Sequence, residues 1–173
     1  MSALEIPLIQ SLLNIPIISR IRRNHGLEHA TLHIISKRYP GRRMGGYSNA
    51  RGFWLIGDIP TEAVQECVDE ALRRLRNGEH NLAVHPNCGT NFAIAGTLAG
   101  IAGVIGMWRA GPRKRDKLER LPLVATLATL AIIVARPFGL AAQKHITTSG
   151  LQGGLEITEI IPKLKAHRII TRG

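Results

Sequence analysis

The sequence predicts a small α+β domain combined with a two-helix transmembrane hairpin that is inserted before C-terminal strands. Two long apolar runs, residues 90–108 and 121–142, flank a short polar loop, and each approaches the length that crosses a bilayer. Helical and strand-like patterns precede and follow them. We divide the chain into an interfacial apolar and basic segment (1–23), an α+β domain (24–88), the transmembrane helical hairpin (89–142) and C-terminal strands that complete the α+β domain (143–173).

The region before the hairpin shows two helix patterns and three strand patterns, the first of them a short strand among the turns of residues 45–52. Asn24 is a suitable cap for a helix that runs to Tyr39, where Pro40-Gly41 ends it. Residues 53–56 are predicted to form a buried strand. Pro60 opens a second helix that Asn77-Gly78 ends, and residues 82–84 are predicted to form a short strand.

The region after the hairpin has the alternation of a half-buried sheet. Residues 155–160 alternate as a strand does, and residues 167–171 can pair with them. The tail is therefore expected to complete the domain that begins before the hairpin.

The apolar runs are rich in small residues. Gly96-x-x-x-Gly100, Gly103 and Gly106 lie in the first run. The second run contains Ala125, Ala128, Ala131 and Ala135. Such residues let membrane helices approach closely. Arg136, followed by Pro137, interrupts the second run, and we expect it to snorkel to the membrane edge. The alternative is a buried helical hairpin in a soluble protein.

Positive charge indicates anionic lipid as the partner. The formal net charge is +11, and the basic clusters flank the apolar runs rather than forming one stripe with interleaved aromatic residues. No nucleic-acid partner is therefore expected. The apolar segment from Ile6 to Ile18 is too short to span, so we expect it to lie at the interface, held by Arg20, Arg22 and Arg23.

The expected location is a bacterial inner, or cytoplasmic, membrane. The loop from Arg109 to Arg120 holds six Lys and Arg residues, which would place it in the cytoplasm and both termini outside. However, the opening run does not resemble a signal peptide, because its arginines follow it. We therefore expect the soluble part to face the cytoplasm.

The strongest chemical motif is His25-x-x-Glu28-His29. On a helix, His25 and His29 lie on one face one turn apart, with Glu28 beside them. The pattern is the reverse of the zinc-peptidase helix, in which two histidines bind the metal and the carboxylate activates water. The alternative is that these histidines only form hydrogen bonds on a polar face.

A second motif, residues 85–91, offers the remaining metal ligands. His85 and Cys88 are three residues apart beside Pro86 and Gly89, a spacing compatible with ligation. His33 is not expected to be a third ligand, because it lies about 12 Å along the helix from His25. The fallback ligands are Glu66, Glu70 and Glu79.

Cys88 also permits thiol chemistry. It precedes the first apolar helix, where the helix dipole favours a thiolate, and Gly89, Thr90 and Asn91 can supply oxyanion donors. His25, His29 or His85 would act as the base. The structural alternative makes Thr90 and Asn91 a helix cap. Cys67 is expected to be a small core residue, and two cysteines provide no disulfide framework.

The two motifs together resemble a known family. Residues 24–31, with the sequence NHGLEHAT, and residues 85–91, with the sequence HPNCGTN, followed by two apolar runs, look like an uncharacterised family of small bacterial two-span membrane proteins. This resemblance implies a membrane hairpin and no established activity. A similarity to inverzincin peptidases covers only His25, Glu28 and His29, and no downstream glutamate matches that class's third ligand.

The sequence thus leads to three functional hypotheses. The first is a membrane-anchored zinc-dependent hydrolase, peptidase-like, with His25 and His29 as ligands, Glu28 as the catalytic base and His85 or Cys88 completing the site. The second is a non-enzymatic accessory or assembly protein of a membrane complex, whose histidines bind a metal or a tetrapyrrole or only join the domain to the hairpin. The third is a Cys88-based thiol hydrolase.

Overall fold

The computed structural model describes residues 7–173. The chain forms two compact units: the first contains the residues up to His85 together with Gln143–Gly173, and the second contains Pro86–Ala142. The first unit is a small α+β domain, as predicted. Residues 1–6, the beginning of the predicted interfacial segment, lie outside the described residues.

A four-stranded antiparallel sheet forms one layer of the first unit. The strands are β1 (Gly45–Asn49), β2 (Gly52–Ile56), β3 (Glu156–Lys163) and β4 (Ala166–Arg172). Their spatial order is β1-β2-β4-β3, so β4 lies between a hairpin from before the apolar runs and a strand from after them. The tail therefore completes the sheet, which confirms the predicted strands at 53–56, 155–160 and 167–171.

Helices supply the rest of the first unit. They are α1 (Pro7–Leu13), α2 (Pro16–Arg38) and α3 (Thr61–Arg76). Apolar residues at helical spacing in α3, including Val64, Val68 and Leu75, are fully buried and share one core with Phe53 and Ile169 of the sheet. The predicted second helix is therefore confirmed, and its apolar stripe is the face that packs inward.

The first predicted helix is longer than expected: it begins at Pro16 and not at Asn24. Proline suits a first helical position. Asn24 is not a cap: it is fully buried within α2, where its Nδ2 donates to the carbonyl oxygen of Asn49 at 2.8 Å and its Oδ1 accepts from the Thr171 hydroxyl at 2.7 Å. Asn24 therefore joins α2 to β1 and β4.

The predicted strand at residues 82–84 is wrong. His80–Ala83 is a short 3₁₀ helix, followed by Val84 in an extended conformation. The carbonyl oxygens of Ala83 and Val84 accept hydrogen bonds from histidine side chains of α2. Those bonds satisfy backbone groups that a strand would pair with a neighbouring strand.

Arginines of α2 hold the returning C-terminal segment. Arg22 donates to the carbonyl oxygens of His145 and Thr148 at 3.1 and 3.2 Å. Arg20 donates to Thr171 and Arg23 donates to Gln152 in the same way. Sequence reasoning assigned these three guanidinium groups to lipid, whereas the structure uses them inside the first unit, and lipid contact by them stays a prediction.

The second unit is a hairpin of two apolar helices. The two apolar helices are α4 (Gly89–Gly106) and α6 (Leu121–Ala142), and a short polar helix, α5 (Lys114–Glu119), lies between them in the chain. Helices α4 and α6 pack against each other, and α6 continues through Pro137. Both are long and apolar enough to cross a membrane.

Only part of the predicted small-residue surface contacts the partner helix. A Cβ on Gly106 would lie 2.8 Å from Val124 Cγ2 and 3.1 Å from its Cα, so glycine allows this close approach. A Cβ on Gly96 or Gly100 would meet nothing within 4 Å. The expectation that small residues let the two helices approach closely therefore holds for Gly106 and not for Gly96 and Gly100, which face away from the contact.

Candidate functional site

Four histidines of the first unit form a cluster. The ring centroids of His25 and His29, one turn apart on α2, are 4.3 Å apart, and nitrogen atoms of the two rings that can bind a metal lie within 4.8 Å of each other. Two nitrogens on one tetrahedral zinc are about 3.4 Å apart, given Zn–N bonds of about 2.1 Å. Small rotations of the side chains would bring the pair onto one ion.

Backbone carbonyl groups fix the orientation of both rings. His25 Nδ1 lies 3.0 Å from the carbonyl oxygen of Thr147, and His29 Nδ1 lies 2.8 Å from that of Ala83. A carbonyl oxygen only accepts, so each Nδ1 carries the proton when the ring is neutral and each Nε2 carries the lone pair. Histidines that bind metals commonly donate their other ring N–H to a carbonyl in this way. His25 and His29 therefore have the tautomer of a metal ligand.

His85 joins the cluster from the segment after the 3₁₀ helix. Its ring centroid is 5.6 Å from that of His29 and 4.7 Å from that of His33. Burial, with the nearby His33 and His29 rings, lowers the pKa of His85 to about 4. The ring is consequently neutral near pH 7, which is the form that binds a metal.

A buried glutamine holds the backbone at His85. The Gln143 Oε1 accepts from the His85 backbone N–H at 2.8 Å, and Gln143 is fully buried. Its own backbone carbonyl accepts from both the backbone N–H and the hydroxyl of Thr148. Gln143 therefore links the segment that carries His85 to the segment that carries the Thr147 carbonyl.

His33 belongs to the same cluster, although it is not beside His25. Its Nε2 lies 2.8 Å from the Val84 carbonyl oxygen and its ring packs on His85. Its Nε2 thus donates, in contrast to the Nδ1 atoms of His25 and His29. The arrangement gives His33 a role in positioning His85.

Glu28 is buried beside the two motif histidines, with 4% of its surface exposed. Its hydrogen-bond partner among the described residues is the Ser48 hydroxyl, which donates to Oε2. Burial raises the pKa of Glu28 despite the Ser48 hydrogen bond and the nearby His25, both of which lower it. A carboxylate whose pKa is raised is suited to accept a proton near neutral pH.

Two glycines allow the close packing around these residues. A Cβ at Gly46 would collide with the Glu28 carboxyl group, so glycine lets β1 cover Glu28 in its present position. A Cβ at Gly26 would collide with the Ser149 carbonyl oxygen. Gly26 therefore lets the segment that follows Thr147 lie directly against α2.

Cys88 lies in the second unit, where it caps α4. Its Sγ accepts from the Thr90 backbone N–H at 3.4 Å, so the cap is the thiol itself and not Asn91. The assignment of Cys88 as a metal ligand or a nucleophile stays a prediction. Cys67 is fully buried in the core of the first unit, as expected.

The fallback carboxylates are used elsewhere. Arg38 pairs with Glu66 at 2.8 Å and with Glu70 at 2.9 Å. Glu79 accepts from the Arg74 Nε at 3.0 Å. All three fallback carboxylates therefore take part in ion pairs on the surface of the first unit.

Several site residues escaped the sequence analysis. Ser48, Gly46 and Gln143 contact the predicted residues, and so do the carbonyl oxygens of Thr147 and Ala83. The Gly45-Gly46 pair was the one available signal, since adjacent glycines mark close backbone approaches as well as turns. Backbone carbonyls have no sequence signature.

The fold and the cluster define a small α+β protein that carries a hairpin of apolar helices and a group of oriented histidines. The chain belongs to the family described as Domain of unknown function (DUF6391), whose model matches residues 20–160. That range includes both sequence motifs and the two apolar helices.

A relative of this chain is an uncharacterized protein of Picosynechococcus sp. (strain ATCC 27264 / PCC 7002 / PR-6). The two are 38% identical over 138 residues, which is 75% of this chain and 66% of the relative. The chain thus spans just under two thirds of that protein's length. No solved structure matches the chain.

Proposed function

We propose that this protein is an integral protein of a bacterial inner membrane that binds zinc through His25 and His29 and uses the metal for hydrolysis, with peptides as the simplest substrate class. The observation that carries the proposal is the paired orientation of the two rings, each with its Nδ1 on a backbone carbonyl. Zinc is the expected metal because neutral imidazole is one of its usual ligands.

Membrane insertion is supported by the surface of the hairpin. Only 6% of the apolar stretch of α4 and 11% of that of α6 is buried. Core helices of soluble proteins, by comparison, are mostly buried. Exposed side chains on both helices include Val104, Ile133 and Phe138. Lipid would remove this apolar surface from water.

Membrane extraction tests this part of the proposal. We expect the full chain to stay in the membrane pellet after alkaline carbonate washing and to need detergent for release. Release by carbonate would contradict insertion. Accessibility to protease in sealed vesicles then determines whether the first unit faces the cytoplasm, as we propose.

His85 is the proposed third protein ligand, and Cys88 is the alternative. His85 is supported by its ring contact with His29 and by its neutral form at pH 7. Cys88 is supported by the sequence spacing, three residues after His85. In either case water would hold the remaining position of a tetrahedral site, which is the arrangement of catalytic zinc.

Metal analysis of the purified protein tests the metal site. We expect close to stoichiometric zinc in the full chain and its loss in the His25→Ala/His29→Ala variant. The exposed His145 provides a matched control, and His145→Ala should retain zinc. Absence of zinc from the wild type, or its retention in the double variant, would contradict the proposal.

Glu28 is the proposed catalytic base. Zinc, when bound, would lower the pKa of its water towards neutrality, and Glu28 would accept the proton. Its raised pKa supports this role. Glu28→Gln should abolish hydrolysis of a peptide library while zinc content is unchanged. Equal hydrolysis by Glu28→Gln and the wild type would contradict the role.

One observation favours a non-enzymatic alternative. Glu28 is almost fully buried and hydrogen-bonded to Ser48, which suits a residue that only fixes β1 on α2. An accessory protein of a membrane complex would then use the histidines structurally. Co-purification of a larger complex, with normal complex assembly in the Glu28→Gln strain, would favour this alternative over the hydrolase.

The thiol hydrolase hypothesis is supported by the Cys88 cap. The Thr90 N–H on Sγ and the N-terminus of an 18-residue helix both favour a thiolate. Rapid labelling of Cys88 by iodoacetamide near neutral pH would favour it, with the buried Cys67 as the internal control. A Cys88 as unreactive as Cys67 would contradict it.

A further inference from the structure

A cavity of about 250 Å³ lies within the first unit. Three segments form its walls: Arg22 on α2, the 3₁₀ region with His80 and Ala83, and the segment from Lys144, in a π-helical turn (Gln143–Thr147), to Leu151. Ala83 also provides the carbonyl oxygen that holds His29. The cavity is therefore next to the histidine cluster but is lined by different side chains.

The lining is positively charged. Arg22 and Lys144 contribute two cations, His80 contributes an imidazole, and none of the lining residues is acidic. Hydrogen-bonding side chains accompany them, among them Asn81, Thr148 and Ser149. Neither Arg22 nor Lys144 takes part in the ion pairs found among the described residues. The positive charge of the cavity is thus not neutralised by the protein.

Arg22 is held in place with donor capacity remaining. Its Nη2 donates to the carbonyl oxygens of His145 and Thr148, which fixes the plane of the guanidinium group. No hydrogen bond from its Nη1 to another described residue is found beside these two, and the residue lines the cavity. The guanidinium group therefore keeps N–H donors for an anion in the cavity.

We propose that this cavity binds a phosphate group, either of a lipid headgroup or of a small soluble phosphate. The donors approach from three different walls, which suits the several oxygen atoms of a phosphate better than the two of a planar carboxylate. The volume lies below the range of about 300–1,000 Å³ usual for whole cofactors and drug-sized ligands. It fits a phosphate with a short alcohol portion.

Calorimetric titration of the full chain in a neutral detergent tests the proposal. The probes are inorganic phosphate, a short-chain phosphatidate and acetate. We expect both phosphate probes to bind at millimolar concentrations or below and acetate to bind more weakly. Tighter binding of the phosphatidate would identify a lipid headgroup as the source, whereas equal binding of the two would identify soluble phosphate; either outcome supports a phosphate site.

Charge variants locate the site. Lys144 and His80 are exposed, so their replacement should not prevent folding. Lys144→Gln should weaken phosphate binding about five-fold, the effect expected of one cation beside an anion. His80→Asn should also weaken phosphate binding. Lys163→Gln removes an equal charge from β3, outside the cavity, and should change the affinity less than about two-fold because distant surface charges are screened.

Phosphate binding is expected not to need the metal. Wild-type protein treated with a chelator should bind phosphate as the untreated protein does, so loss of zinc and loss of phosphate binding are separate outcomes. No binding of either phosphate probe, equal affinity for acetate and phosphate, or equal affinities in Lys144→Gln and Lys163→Gln would overturn the proposal.

Discussion

The Nδ1 atom of His29 on α2 lies 2.8 Å from the carbonyl oxygen of Ala83, fifty-four residues later in the chain. This hydrogen bond joins the first sequence motif to the 3₁₀ helix that leads to the second. It also directs the Nε2 lone pair of a buried histidine away from the backbone. In the predicted strand at residues 82–84, the carbonyl groups of Ala83 and Val84 orient histidines of α2 and do not pair with a neighbouring strand.

The contact between Gly46 and Glu28 provides the first prediction. Gly46→Ala should destabilise the first unit by about 1–3 kcal/mol, as overpacking does, because its Cβ would displace the Glu28 carboxyl group. Gly45→Ala is the matched control, since a Cβ there meets nothing within 4 Å. Thermal unfolding of the detergent-solubilised protein measures both. Equal melting temperatures for the two variants would show that Glu28 is not held as described.

The two faces of α4 predict opposite effects of the same substitution. Gly106→Ala should weaken the hairpin, because its Cβ would lie 2.8 Å from Val124 Cγ2. Gly100→Ala meets open space and should stabilise the helix by up to about 1 kcal/mol, the difference in helix propensity. Unfolding by sodium dodecyl sulfate, followed by circular dichroism, compares the two. The same sign of change in both variants would contradict the packing.

A buried histidine of β4 predicts acid sensitivity. Burial lowers the pKa of His167 below its usual 6.5, although Glu62 opposes this, and its Nδ1 has no hydrogen-bond partner among the described residues. The His167 side chain therefore binds a proton more readily in the unfolded chain than in the folded one. Its contribution to the free energy of unfolding is fully present above pH 6.5 and is lost as the pH decreases below that value. The melting temperature should decrease from pH 7.5 to pH 5.5.

Replacement of His167 isolates its contribution. His167→Gln should reduce the decrease in melting temperature between the two pH values, whereas His145→Gln, at an exposed histidine, should leave it as in the wild type. A decrease of the same size in all three proteins would show that His167 does not contribute.

Metal binding predicts a stability change that is independent of any catalytic activity. Zinc at a hundred times its dissociation constant should stabilise the folded protein by about 2.7 kcal/mol. A chelator should reverse the effect. The His25→Ala/His29→Ala variant should gain none of this stabilisation. An equal rise in melting temperature in that variant would place the zinc elsewhere.

Local patterns predicted most of the elements but not their long-range contacts. The apolar spacing of α3 and the alternation of β3 are properties of neighbouring residues, so the sequence was sufficient for them. Asparagine is a residue type typical of helix caps, yet the hydrogen-bond partners of Asn24 are Asn49 and Thr171, far away in sequence. A capping rule cannot anticipate such a buried polar contact.

The candidate site shows the same division. Helical spacing correctly placed His25 and His29 side by side, because a helix has a fixed geometry. Distance along the helix also separated His33 from His25, but it could not show that His33 contacts His85. The carbonyl groups that orient the rings come from segments that only the complete fold brings together.

X-ray absorption at the zinc edge tests the metal site most directly, because it reports the ligand atoms of the bound ion. We expect at least two imidazole nitrogens at about 2.0–2.1 Å in the wild type, with a sulfur at about 2.3 Å only if Cys88 is a ligand. Cys88→Ala would remove that sulfur and leave the imidazole signal. A zinc bound without imidazole, or an unchanged spectrum in the His25→Ala/His29→Ala variant, would contradict the account.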